Sequence, residues 1–139
     1  MDEQLRQKIR ERTKRFEGLS LKPYKCSAGE YTIGYGHLIK NGITRAAAEV
    51  LLTEDLQAAE QSAARLGWFL TLNNPRKAVI VDMIFNIGIA RLHGFKKMIA
   101  AIEAGDFDTA AKELLDSKYA RQVAHRARLN AEILKKGVW

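Results

Sequence analysis

Phe16-Glu17-Gly18-Leu19-Ser20-Leu21-Lys22-Pro23-Tyr24-Lys25-Cys26-Ser27-Ala28-Gly29-Glu30-Tyr31-Thr32-Ile33-Gly34-Tyr35-Gly36-His37 is the stretch on which the fold turns. Before it, Leu5, Ile9 and Phe16 recur near a helical period among charged residues, which predicts a first helix over residues 2–16. Gly18 is its stop signal. Within the stretch the pattern changes. Tyr24, Tyr31, Thr32, Ile33 and Tyr35 are strand formers, and Pro23, Gly29, Gly34 and Gly36 interrupt them, so short strands joined by tight turns are expected up to Ile39. The same residues set one acid, one thiol and one hydroxyl around a Gly-rich hairpin. Eight residues separate Glu17 from Cys26, and five separate Cys26 from Thr32.

Beyond the hairpin the chain reads as helical. Asn41-Gly42 marks a turn, and Thr44 is a good N-cap for a long helix to about Leu66. Val50, Leu51, Leu52 and Leu56, with Ala47, Ala48, Ala59 and Ala63, suit one buried stripe along it. Asn74 as cap and Pro75 at the first helical position open the next helix. Val79, Ile80, Met83, Ile84 and Ile87, widened by Val81 and Phe85, make that helix central and buried. Shorter helices are expected over 95–104, from Asp106 or Asp108 to Leu115, and from about Arg121 or Val123 to Lys136. The fold class is α+β, mainly helical, with a small antiparallel sheet on one side of the long helix and a helical bundle on the other.

The 139 residues fit one domain of ordinary hydrophobic content, 47%, large enough to need no covalent staple. The single cysteine, Cys26, excludes an internal disulfide. No apolar run is long enough to span a membrane, so stable insertion is not expected. The charged start, Met1-Asp2-Glu3-Gln4-Leu5-Arg6, lacks the apolar segment of a signal peptide, so synthesis in the cytoplasm without an export address is expected. A net charge of +7 favours anionic partners. From Lys118 to Lys136 six bases face one acid.

A carboxylic acid that gives up a proton, opposite a group that holds a water, is the minimum equipment for cleaving a glycosidic bond. Glu17 is expected where a helix ends, and the partial negative charge there favours the protonated acid, as partial burial by Phe16 and Leu19 would. Cys26 is open to three roles: base or anion as its thiolate, direct nucleophile, or positioner of water. Lys22 and Lys25 favour the thiolate if they lie close. Thr32 can hold a water beside it. Tyr31 and Tyr35 can stack on sugars or pack the sheet, and Gly34 and Gly36 let backbone turn or approach a ligand. His37 reads as a structural histidine bonding across the hairpin. With His93 and His125 it shows no ligand spacing, so no metal and no cofactor is expected.

The spacing of Glu17, Cys26 and Thr32, with the run Tyr31-Thr32-Ile33-Gly34-Tyr35-Gly36-His37, resembles the bacteriophage lysozymes, the endolysins of glycoside hydrolase family 24. The position of Cys26 is aspartate in the T-even branch and either aspartate or cysteine in the lambdoid branch, so this chain resembles the lambdoid members more closely. The resemblance continues through Asn86-Ile87-Gly88, similar to the family's far cleft wall, and through Arg126-Ala127-Arg128-Leu129-Asn130, similar to its basic last helix. It implies one lysozyme domain, with a sheet lobe over about 17–43, a connecting helix over about 44–66, and a helical lobe over about 67–139 that includes the N-terminal helix 2–16. It implies Glu17, Cys26 and Thr32 as catalytic residues. Tyr31, Gly34, His37, Asn86, Gly88 and Arg126 would line the cleft, Arg126 pairing with the glutamate.

The activity so implied is a muramidase cutting the β-1,4 bond between N-acetylmuramic acid and N-acetylglucosamine, with inversion. Peptidoglycan is then the partner. A monomer would act in the periplasm after release through a phage holin or pore. Two other classes compete. A cysteine in place of aspartate suits a catalytically inactive wall-binding module. The positive charge suits a nucleic-acid-binding helical protein, but that reading leaves the tyrosine hairpin without a role, so no nucleic-acid partner is expected.

Overall fold

The computed structural model describes residues 1–139, which divide into two compact units, residues 1–49 and 50–139. The first unit opens with helix α1, Glu3–Glu17. Asp2 caps it, its carboxylate accepting from the Leu5 N–H at 2.8 Å. Gly18 closes it, its N–H on the Lys14 carbonyl at 2.9 Å. The helix therefore ends on Glu17 itself. None of its residues is buried, and Leu5 and Ile9 are each 46% exposed.

Three strands follow, β1 Ser20–Lys25, β2 Tyr31–Gly34 and β3 His37–Leu38, antiparallel in that order. Tyr24 pairs with Thr32 and Lys25 with Tyr31. The register slips between Ser20 and Tyr24, where Pro23 cannot donate to a ladder, and β1 is an edge strand. The β1–β2 turn is closed by the Cys26 N–H on the Glu30 carbonyl at 2.9 Å and the Gly29 N–H on the Cys26 carbonyl at 2.8 Å. A single 3-10 turn, Ile39–Asn41, leads to helix α2, Arg45–Ala64, which Thr44 caps as its sequence predicts.

The second unit takes up the rest of α2 and six further helices: α3 Asn74–Ile87, α4 Ile89–Leu92, α5 Lys96–Glu103, α6 Phe107–Leu115, α7 Lys118–Gln122 and α8 Ala124–Lys136. Its core is built on Val79, Ile80, Met83, Leu92, Met98, Leu114 and Leu134, each all but inaccessible. Burial of such a side chain is worth about 1.5–3 kcal/mol. No helix is long and apolar enough to cross a membrane.

Several expectations shift. The long helix ends at Ala64, not Leu66. Its predicted buried stripe is mostly open: Val50, Leu51 and Leu52 are 58%, 48% and 43% exposed, and only Ala59 and Ala63 are buried. Three consecutive residues sweep about 200° around a helix, so they cannot share a face, whereas residues four apart can. The cap of α3 is Asn73, which accepts from the Arg76 N–H, and not Asn74. Phe85, expected to broaden the buried face of α3, is 39% exposed. The predicted last helix is two, α7 and α8, broken at Val123.

Candidate active site

Glu17 occupies the last turn of α1, and the β2–β3 turn brings Gly36 under its carboxyl group. A Cβ placed on Gly36 would stand 2.6 Å from Oε2, 2.8 Å from Cδ and 3.2 Å from Cγ of Glu17. Those distances are below contact for any side chain, so the acid rests on bare backbone. Gly36 has φ +80°, a conformation that other residues rarely adopt, so the backbone selects glycine here, and a side chain at this position would push the Glu17 carboxyl aside. The Glu17 side chain is exposed and has no hydrogen-bond or ion-pair partner among the side chains of the protein. Its carboxyl group is thus open to a ligand.

Cys26 opens the β1–β2 turn, and Thr32 lies beside it in β2. The Thr32 side chain is on the closed face, 2% exposed, while Cys26 keeps access to solvent. The Cys26 thiol is held below its usual range. The backbone N–H of Glu30 contributes most, then that of Ala28, then the Thr32 hydroxyl, against a smaller opposing effect of burial. Lys22 and Lys25 are not among the causes, and the Lys25 ammonium lies 5.3 Å from the centre of the Tyr31 ring. The turn itself stabilises the anion. Thr32 has one hydroxyl proton and two acceptors, the Glu30 carbonyl at 3.2 Å and the sulfur. An ionised sulfur is the stronger acceptor, so deprotonation of Cys26 draws that proton toward itself.

Around these groups, Tyr31 and Tyr35 are 55% and 45% exposed, with the Lys25 ammonium over the first ring and the Lys14 ammonium 5.6 Å from the centre of the second. Gly34 is in the left-handed region and starts the turn that carries Gly36. His37 bonds through Nε2 to the Gly42 carbonyl at 2.7 Å, tying β3 to the turn after it.

The remaining candidates lie in the second unit. Asn86 is exposed in the last turn of α3, and Gly88 ends that helix. A shallow cavity of about 310 Å³ has Gly88 in its lining with Phe85, Asp55 and Ser62. Phe85 is therefore an exposed aromatic beside polar groups, which helical periodicity disguised as core. Arg126, which the resemblance would pair with the glutamate, forks onto Asp82, Nε to Oδ2 at 2.9 Å and Nη2 to Oδ1 at 2.6 Å. Asn130, nearly buried, donates to the same carboxylate at 2.8 Å. Burial pushes Asp82 up, but the bonds from Arg126 and Asn130 and the guanidinium charge outweigh it and leave the carboxyl below its ordinary range. Asp82 was not singled out by its sequence context, because its partners are 44 and 48 positions away.

The sequence model of the phage lysozyme family matches residues 14–131. The chain is 29% identical to probable T4-type lysozyme 1 of Dictyostelium discoideum, across 93% of its own length and 94% of that protein. It is 35% identical to the endolysin of Acyrthosiphon pisum secondary endosymbiont phage 1, across 73% of this chain and 71% of that one. It is also 30% identical, over 84% of its length, to the pre-baseplate central spike protein Gp5 of Enterobacteria phage T4, of which it covers 26%.

Proposed function

Because the chain belongs to the phage lysozyme family, we propose that it is a peptidoglycan-hydrolysing lysozyme whose acid is Glu17. The observation that carries this reading is the unpaired carboxyl of Glu17 seated on the backbone of Gly36, in the same unit as an activated Cys26. Glu17 protonates the departing oxygen of the β-1,4 bond between N-acetylmuramic acid and N-acetylglucosamine. Cys26 accepts a hydrogen bond from a water and aims it at the anomeric carbon from the opposite face, which inverts the configuration. Thr32 acts on this step through the thiol, as a buried donor that holds the sulfur in place and in charge. Tyr31, Tyr35 and Gly34 contact sugar. Residues 1–139 work as one catalytic domain and as a monomer. The endolysin among its relatives supports a role in host lysis, with the enzyme reaching the wall of the periplasm through a phage pore.

The test is turbidity clearing of permeabilised Gram-negative cells. The wild type clears them, and Glu17→Gln loses clearing by a factor of about 100 to 10,000, the usual worth of a general acid, with an unchanged circular dichroism spectrum. Clearing at the parental rate by Glu17→Gln sinks the assignment. Wall binding by the wild type without clearing would favour the inactive module. The anomeric configuration of the first product reports inversion directly.

A further inference from the structure

Glu30 serves both groups that the proposed reaction sets beside the water. Its carbonyl accepts from the Cys26 N–H at 2.9 Å and from the Thr32 hydroxyl at 3.2 Å, and its own N–H reaches the Cys26 sulfur. The turn it closes, residues 27–30, has little packing to keep its shape, because Ser27, Ala28 and Gly29 are all exposed. Hydrogen bonds hold it instead, and one of them leaves the β1–β2 hairpin. The Lys40 ammonium donates to the Glu30 carboxylate at 2.9 Å, across ten positions. Lys40 stands on the 3-10 turn Ile39–Asn41, whose end is itself fixed. The Gly42 N–H closes on the Ile39 carbonyl at 2.9 Å, and His37 Nε2 holds the Gly42 carbonyl at 2.7 Å. The ion pair therefore fastens an unpacked turn to an anchored one.

We propose that Lys40 is a positioning residue for the reaction, holding through Glu30 the turn that aims the Cys26 sulfur and the Thr32 hydroxyl, a role that rests on the lysozyme reading above. Lys40 makes no hydrogen bond to either group. It acts on the backbone between them. When the tie is released, residue 30 moves off. Cys26 then loses the N–H that does most to favour its anion, and Thr32 loses the carbonyl that orients its hydroxyl. A direct attraction between the ammonium and the sulfur predicts something else for the partner. Removing the negative charge of Glu30 would then favour the thiolate, since a like charge nearby disfavours ionisation. The tie predicts the opposite sign, because loss of either member opens the same turn. The side chains of Lys40 and Glu30 are 58% and 44% exposed, so the pair is worth a factor of about 1.5 to 5 in the population of the closed turn.

The experiment measures the pH midpoint of Cys26 alkylation, together with kcat and KM on soluble glycan strands, in Lys40→Met and in Glu30→Met. Both variants keep a side chain of similar length and lose the tie. Each should move the midpoint upward, so that alkylation below it slows about 1.5- to fivefold, and kcat at the same pH should fall by the same factor with KM unchanged. Lys40→Arg, which keeps the charge and the donors, should retain parental values of both. A weakened fold alone would lower the melting temperature and leave the midpoint of the folded protein where it was. An unmoved midpoint in Lys40→Met overturns the proposal. A downward shift in Glu30→Met overturns it too, as the mark of a field acting without the turn. A midpoint that moves while kcat keeps its parental value overturns the role in the reaction. If the wild type hydrolyses no glycan the lysozyme reading fails, while the alkylation series still decides whether Lys40 holds the turn.

Discussion

Gly36 is where the smallest side chain has the largest chemical consequence. Its backbone supports the Glu17 carboxyl at distances that exclude a methyl group, and its positive φ adds strain to any replacement. Gly36→Ala should therefore displace the acid, and a displacement near 1 Å at a reacting group costs about a hundredfold in rate. The expected result is a kcat down by about two orders with a stability loss of only about 1–2 kcal/mol. Full activity in a folded Gly36→Ala protein would mean that the acid is not where the rate is set. Cys26 gives a second measurement at this scale. A thiol held below its usual range ionises at lower pH, so its alkylation rate should reach half-maximum below about pH 8.5, the midpoint of a free thiol. Thr32→Val removes one donor to the anion and should move that midpoint upward. A midpoint at or above the free value in the wild type would show that the hairpin does not stabilise the thiolate. Neither Gly36 nor the hairpin N–H groups could be ranked by sequence alone. The motif named the glycine and the cysteine, but the approach of Glu17 to Gly36 depends on how α1 enters β1.

At the scale of elements, local chemistry was legible and distant pairing was not. Gly18, Thr44 and Asp106 act at helix ends as their types predict, because a cap needs only neighbours within three or four positions. Asn73 and Asn74 present the same chemistry one position apart, and the register was settled by Asn73, which also donates to the Gly137 carbonyl at 2.8 Å. The joining of α3 to α8 through Asp82, Arg126 and Asn130 left no local trace. It has a pH signature. The folded carboxyl of Asp82 ionises below its unfolded value, so its contribution to stability is complete above about pH 4 and is lost as pH falls through the folded value. Asp82→Asn should flatten part of the fall in urea midpoint between about pH 4 and pH 2. An unchanged slope would show that the pair contributes nothing. Its partial exposure keeps the effect modest.

For the whole molecule, fold class and the order of elements followed from the change of period at residues 16–37, and the structure has the small sheet followed by the helices. Burial along α2 did not follow, because it depends on what packs against a face and not on the face. The charge of +7 is a property of the molecule as a whole, and it should appear in kinetics. Raising ionic strength from about 0.05 M to 0.3 M shortens the screening length to a few ångströms, so clearing of an anionic wall should slow. Hydrolysis of an uncharged soluble oligosaccharide should not. Equal salt sensitivity on both would place the effect in catalysis and not in attraction to the wall.

The end of α8 is held by residues from the start of α3. Arg76 donates through Nε to the Leu134 carbonyl at 2.8 Å and through Nη2 to that of Lys135 at 3.0 Å, across 58 and 59 positions. Its guanidinium stacks on the Phe107 ring at 3.5 Å and packs so close to Gly137 that a Cβ there would stand 2.9 Å from Cζ. A clasp of such long reach has a consequence during biosynthesis. The helical unit cannot latch while position 137 is still inside the ribosomal exit tunnel, so on the ribosome α3 stays without its clasp until that position has emerged.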